Sequence, residues 1–186
     1  MVIEDTPELP VQRLQTAGRD VQRLRVDRDG DGVGPREALR TALRLGEGAL
    51  VVGEVRGAEA GVLYEAMRVG AADATLGTIH GSDAAAVRER VVTDLGVAES
   101  AFAATDLVVT LDRVDGRRRV TGIEEVVGSE TVEFAPLFDT GADGLDATGR
   151  IDRGNSQLVT TLVAPGETYA DVRTALRRRR ERFRDG

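Results

Sequence analysis

The apolar positions fall into two regimes along the chain. Met1, Val2 and Ile3 read as the end of a buried strand, followed at once by Glu4 and Asp5. A chain that starts inside a strand is expected to continue a longer one upstream. The motif VQRL occurs at Val11–Leu14 and again at Val21–Leu24 around a Thr-Ala-Gly break, which predicts a short hairpin. From Pro35, a favourable first helical residue, Ala38, Leu39, Ala42 and Leu43 recur on one helical face until Gly46. Ala49–Val52 is a short continuous apolar run of the kind found in strands buried on both faces. A helix over 58–69 follows, with Val62, Leu63, Ala66 and Met67 inward. The next strand, 74–79, ends at His80, and Ser82 is placed to cap a helix running past Val87, Val91 and Val92.

Strands alternating with helices predict a parallel sheet covered by helices. The period then changes. Segments 106–114 and 117–127 flank Asp115-Gly116, a strong hairpin signal, and 131–138 adds a third antiparallel strand. Residues 139–156 are rich in Gly and Asp and read as a loop. Thr168 and Asp171 form a capping box for a last helix with Val172, Leu176 and Phe183 on one side. The expected class is therefore α/β, divided into residues 1–138 and a tail, 139–186, of loop and Arg-rich helix.

Composition narrows the chemistry. The 186 residues are 41% hydrophobic and 31% charged, as in globular proteins, and no apolar run approaches the roughly 20 residues that cross a bilayer. The acidic, proline-bearing start is unlike a signal peptide, so a cytoplasmic protein is expected. There is no cysteine, which excludes disulfides and thiolate sites. All 25 basic residues are Arg, so lysine chemistry is excluded too: no Schiff base, no lysine base, no lysine on a nucleotide phosphate.

Charge is unevenly placed, with seven Arg and two acids in residues 173–186 against 18 Arg and 30 acids in residues 1–172. An acidic body repels nucleic acid, and a lysine-free acidic chain suits high salt, where self-repulsion is screened. The basic end has two readings: a surface for anionic membrane or an acidic platform partner, or a solvated helix pairing with the acidic body. Asp27-Arg28-Asp29-Gly30-Asp31-Gly32 imitates the start of a calcium loop, but Ala38 stands where a bidentate Glu is required, which favours an acidic surface loop.

Three polar clusters follow strand ends: Ile3–Leu9 (IEDTPEL), Leu50–Gly57 (LVVGEVRG) and Leu76–His80 (LGTIH). Ligands of open α/β sheets bind at the carboxyl ends of strands. There a carboxylate can hold hydrated magnesium, a second can orient water, and a histidine can sense a terminal phosphate. Each cluster alone also fits solvated turn residues, and one His cannot make a zinc site without further ligands.

Together, IEDTPEL, VVGEVRG at Val51–Gly57 and GTIH at Gly77–His80 resemble the Asp box, Walker B motif and His box of the type II/type IV secretion ATPases, the motors of secretion systems, pili and archaella. The resemblance extends over about residues 1–127 and is nearest the archaeal branch, with a haloarchaeal source expected. It implies a RecA-like P-loop NTPase core, a hexameric ring of homologous subunits in the cytoplasm, peripheral contact with a membrane platform protein, and ATP hydrolysis with Mg2+ driving secretion or filament assembly. By this resemblance Glu4 would polarise the lytic water with Asp5 in support, and Glu54 would act on Mg2+ through water. Arg56 and Thr78 would serve nucleotide or inter-subunit contacts, and His80 would lie near the γ-phosphate.

The departures from the family pattern are as specific. No G-x-x-x-x-G-K-[ST] loop occurs in this sequence, and Gly46-Glu47 stands where the family often has Arg-Pro. The chain alone is therefore expected neither to bind ATP and Mg2+ appreciably nor to hydrolyse ATP, and a sheet without the Walker A strand is expected to leave an apolar edge. A non-catalytic partner that docks on a complete ATPase ring is the competing expectation.

Overall fold

Parallel strands cannot be joined by tight turns, so each return needs a crossover. The first half of the chain is cut accordingly into β1 (Val2–Glu4), α1 (Val11–Thr16), β2 (Arg23–Arg25), α2 (Pro35–Leu45), β3 (Ala49–Val52), α3 (Glu59–Arg68) and β4 (Ala74–Gly77). The computed structural model describes residues 1–27, 30–45, 48–129, 131–141 and 144–184. They form two units, Met1–Gly81 with Ala86–Ala104, and Ser82–Ala85 with Thr105–Gly186.

In the first unit the strands are ordered β2-β1-β3-β4, all parallel, with Val2 opposite both Arg23 and Val51, and Leu50 opposite Thr75. The hairpin expected from the VQRL pair is absent. The first copy starts α1, and the second runs into β2, because a strand parallel to β1 must be reached by crossing over. β1 is buried throughout, and β3 has strands on both sides, as its apolar run requires. Ala38, Leu39 and Ala42 of α2 are buried with Leu43 half-buried. The inward face of α3 is rotated from the expected one: Ala60, Leu63, Tyr64 and Ala66 are buried, whereas Val62 and Met67 are half-buried. The end of α2 at Gly46 and residues Arg28 and Asp29 lie outside the described residues; the Asp27 carboxylate accepts the Gly30 amide at 2.9 Å.

After β4, α4 (Ala84–Glu89) widens into a π turn at Arg90–Asp94, and α5 (Glu99–Phe102) follows. Phe102, fully buried, stacks on Tyr64 with ring centroids 5.8 Å apart. Among the described residues no strand pairs with the outer side of β4, whose Leu76 is 59% exposed.

The second unit is an antiparallel meander, β5 (Leu107–Val114), β6 (Arg117–Val127), β7 (Glu133–Gly141) and β8 (Gly144–Ala147), in sequence order. Asp115 and Gly116 both take positive φ, 52° and 75°, as a two-residue hairpin turn of matching twist demands. The expected loop over 139–156 is corrected: β7 runs on to Gly141 and pairs with β8, with Phe138 opposite Ala147. Short strands with Gly and Asp at their ends carry too weak an alternation to be seen in sequence.

Glu125 of β6, 1% exposed, accepts from the Ser156 hydroxyl, from the Leu158 amide at 2.9 Å and from Arg150 Nε at 3.3 Å. Ser156 also caps α6 (Gln157–Thr161) by accepting from the Val159 amide. The capping box forms as expected: Thr168 Oγ1 donates to Asp171 Oδ2 at 2.6 Å, and the Asp171 amide donates back to Thr168 Oγ1 at 3.3 Å. On α7 (Tyr169–Arg184), Val172 and Leu176 are half-buried, and the Phe183 side chain lies outside the described residues. Arg177 pairs with Asp152 at 2.6 Å, while Arg178–Arg180 and Arg182 are exposed. Among the described residues no helix is long and apolar enough to cross a membrane.

An open strand edge carrying an exposed Leu is a template for pairing with another chain, and a charge there blocks it. Sedimentation velocity should show concentration-dependent association of this chain that Leu76→Lys reduces.

Candidate functional site

Every strand of the parallel sheet ends on the same side, so Glu4 with Asp5, Glu54 with Arg56, and Thr78 with His80 are carried to one carboxyl edge. The three strand ends are fastened to each other by backbone bonds that continue past the strands. The Gly53 amide donates to Ile3 O at 2.7 Å, the Val55 amide to Thr78 O at 2.8 Å, and the Thr78 amide to Val52 O at 3.3 Å. Gly53 keeps this crossing tight: a Cβ there would stand 3.0 Å from Glu4 Cβ and 3.4 Å from Ile3 O, so those neighbours would have to give by a few tenths of an ångström.

Glu54 is the hub. Its Oε2 accepts from the Arg56 guanidinium, and its Oε1 lies 3.0 Å from His80 Nε2. The hydrogen bond and charge of Arg56, aided by His80, hold the Glu54 carboxyl below the ordinary value of 4.5, against burial and the nearby Asp5 carboxylate, which act the other way. His80 is otherwise open to solvent, with its side chain 88% exposed. The Thr78 hydroxyl donates to Gly53 O and thereby joins the ends of β3 and β4.

Glu4 sits differently. It is 4% exposed, its Oε1 lies 2.6 Å from Arg23 Nε, and its Oε2 accepts from the Glu8 and Leu9 amides at 3.2 Å each. Arg23 also donates to Leu9 O at 2.8 Å. The carboxylate therefore ties β1, β2 and the chain entering α1 together. Asp5, half-buried, is the acid of this cluster whose charge acts on both Glu54 and Arg56.

A fourth acid belongs to the edge and was not singled out from the sequence. Glu59, 3% exposed at the start of α3, accepts from the Arg56 amide at 2.9 Å and the Gly57 amide at 3.3 Å through one oxygen. It fixes the turn from which the Arg56 side chain reaches Glu54. Its only sequence signal is an acid beginning the helix right after GEVRG. With Ile3, Val26, Pro35, Leu39 and Val52, the acids Glu4, Asp5, Glu54 and Glu59 line one small pocket.

Asp5, Glu54 and the Thr78 hydroxyl offer hard oxygens of the kind Mg2+ takes rather than a soft metal, but among the described residues no three His, Asp or Glu side chains cluster so as to hold a metal ion by themselves. The donor set for a triphosphate is poorer. Arg56 and His80 both lean on Glu54, and the chain has no lysine and no Walker A loop.

Losing a buried acceptor, here the one that takes the Glu8 and Leu9 amides and faces the partly exposed Arg23, costs about 1–3 kcal/mol. Glu4→Ala should lower the stability measured by urea unfolding by an amount in that range, with Glu4→Gln losing less because it still accepts the two amides. Because Glu54 titrates below 4.5 in the folded chain, its stabilising effect is complete above about that pH and is lost as the pH falls through the depressed value. In Arg56→Ala the Glu54 carboxyl should titrate closer to 4.5, as followed by carboxylate 13C shifts.

Residues 1–133 match the family described as Type II/IV secretion system protein. Among solved structures, the ATPase DotB of Legionella pneumophila is similar at 19% identity and a TM-score of 0.47, over 95% of this chain and 42% of that one. This chain thus spans less than half the length of DotB. No curated protein matches. The family match covers more than two thirds of the chain and contains all of the carboxyl-edge residues, so the chain belongs to the type II/IV secretion system protein family.

Proposed function

We propose that this chain carries the Walker B, Asp-box and His-box part of a secretion-type ATPase site, which in a complete subunit couples ATP hydrolysis to protein secretion or filament assembly. The observation that supports it best is the convergence of Asp5, Glu54, Arg56, Thr78 and His80 on one carboxyl edge, with Glu54 contacting both Arg56 and His80.

In this proposal Glu54 holds hydrated Mg2+ through water, assisted by Asp5 and Thr78. The ion, when bound, neutralises phosphate charge. The Arg56 guanidinium and the His80 ring are the two nitrogen donors that share Glu54 and could exchange it for a phosphate, and His80, being exposed, is the more readily moved. Glu59 keeps the Arg56 turn in place through such an exchange. Glu4 remains the Asp-box carboxylate, and orienting water would require it to release the Glu8 and Leu9 amides or Arg23. The cellular setting proposed with this site is the cytoplasm of a salt-adapted cell, in a ring of homologous subunits next to a membrane platform protein.

Phosphate affinity in P-loop folds comes largely from loop amides and a lysine, and each charge-assisted hydrogen bond is worth about 1.5–3 kcal/mol. Without them this chain by itself should show no appreciable ATP binding in calorimetry with Mg2+ at high salt. Stoichiometric, Mg2+-dependent binding would overturn that part of the proposal. If the chain instead acts as a non-catalytic partner, it should co-purify with a complete ATPase of the family at native salt.

A further inference from the structure

Along their exposed sides, α2 and α3 lie beside each other and leave an open trough between them, lined by Leu43, Val62, Ala66 and Val69 and flanked by Arg36 and Arg40. Val69 is 58% exposed, although it continues the apolar face of α3. Arg36, Arg40 and Arg44 stand four residues apart, on one side of α2, and all three are exposed. Among the described residues none of the three has an ion-pair partner. Across the trough Glu65 is neutralised by Arg68, at 2.7 and 2.9 Å. One rim therefore carries Arg36 and Arg40, with Arg44 next along the same side of α2, over an apolar floor, on a unit that is otherwise acidic.

We propose that this trough is a docking site for an acidic amphipathic helix of a protein partner. The trough is bounded by two helices and offers no strand edge, so an occupant must satisfy its own backbone hydrogen bonds, which an α-helix does and an extended segment does not. A helix lying along α2 repeats its side chains about every 6 Å at four-residue spacing, the same step as the arginine ladder, so acids on one flank meet Arg36, Arg40 and Arg44 in register. Its apolar stripe then covers Val62, Ala66 and Val69.

Gly61 supplies the test. It lines the trough, and a Cβ built on it meets nothing within 4 Å, so Gly61→Leu fills the trough without a clash and removes a helix-weakening glycine from α3. The probes are two synthetic helical peptides with the same leucine stripe, one flanked by Glu and one by Lys, titrated into the 15N-labelled full chain. The Glu peptide should shift amides of α2 and α3, and its affinity should fall about tenfold or more in Gly61→Leu and in the Arg36→Glu, Arg40→Glu double variant, as for loss of central contacts. Equal binding of the Lys peptide, binding indifferent to Gly61→Leu, or no shifts in α2 and α3 would each overturn the proposal. So would a change of oligomeric state in Gly61→Leu without peptide, which would make a second copy the occupant.

Discussion

A carboxylate removed from water must be met by charge and hydrogen bonds, and Glu4 is where this fold meets that requirement. Its position at the end of a buried strand leaves it no solvent, so Arg23 from β2 and the Glu8 and Leu9 amides are drawn to it. That set of contacts brings the short, partly polar β2 alongside β1 and turns the chain sharply after Asp5. A three-residue strand reading Arg-Leu-Arg has little apolar surface with which to hold its place; the ion pair from Arg23 supplies what packing does not. The rest of the edge inherits this geometry, since Gly53 hangs from Ile3 O and β4 is joined to β3 through Thr78.

The edge itself is built from mutually compensating charges. Glu54 draws together Arg56 and His80, while Glu59 works one layer below on the backbone that presents Arg56. The two glutamates thus act at different levels, one on side chains and one on main chain. Such a site is softest at His80, which is mostly exposed, whereas Arg56 also feels the charges of Asp5 and Glu59.

Much of this was legible in the sequence because the signals were local. Continuous apolar runs marked β1 and β3, Asp115-Gly116 marked the hairpin, Thr168 with Asp171 marked the start of α7, and the residues after each strand marked the carboxyl edge. What escaped depends on partners distant in the chain or on very short elements. Nothing around Arg23 distinguishes a strand paired to β1 from a hairpin arm. The Gly-Asp segment hides β8, and α5 and α6, at four and five residues, are shorter than any periodicity can reveal. Glu59 looked like an ordinary helix-starting acid, since its burial and its two amides follow from the turn rather than from its neighbours' types.

The buried Glu125 of the second unit has a consequence for how that unit comes into being. Hairpins β5-β6 and β6-β7 close over short loops and can form early and independently. Glu125 meets Ser156 and Leu158 at separations of 31 and 33 residues, across the whole of β7 and β8. Loop-closure entropy must be overcome before those bonds return any energy. The meander can therefore form from local pairings, whereas the return of the chain to β6 carries the larger loop-closure cost. A half-formed second unit would be one whose sheet is in place and whose carboxylate is still in water.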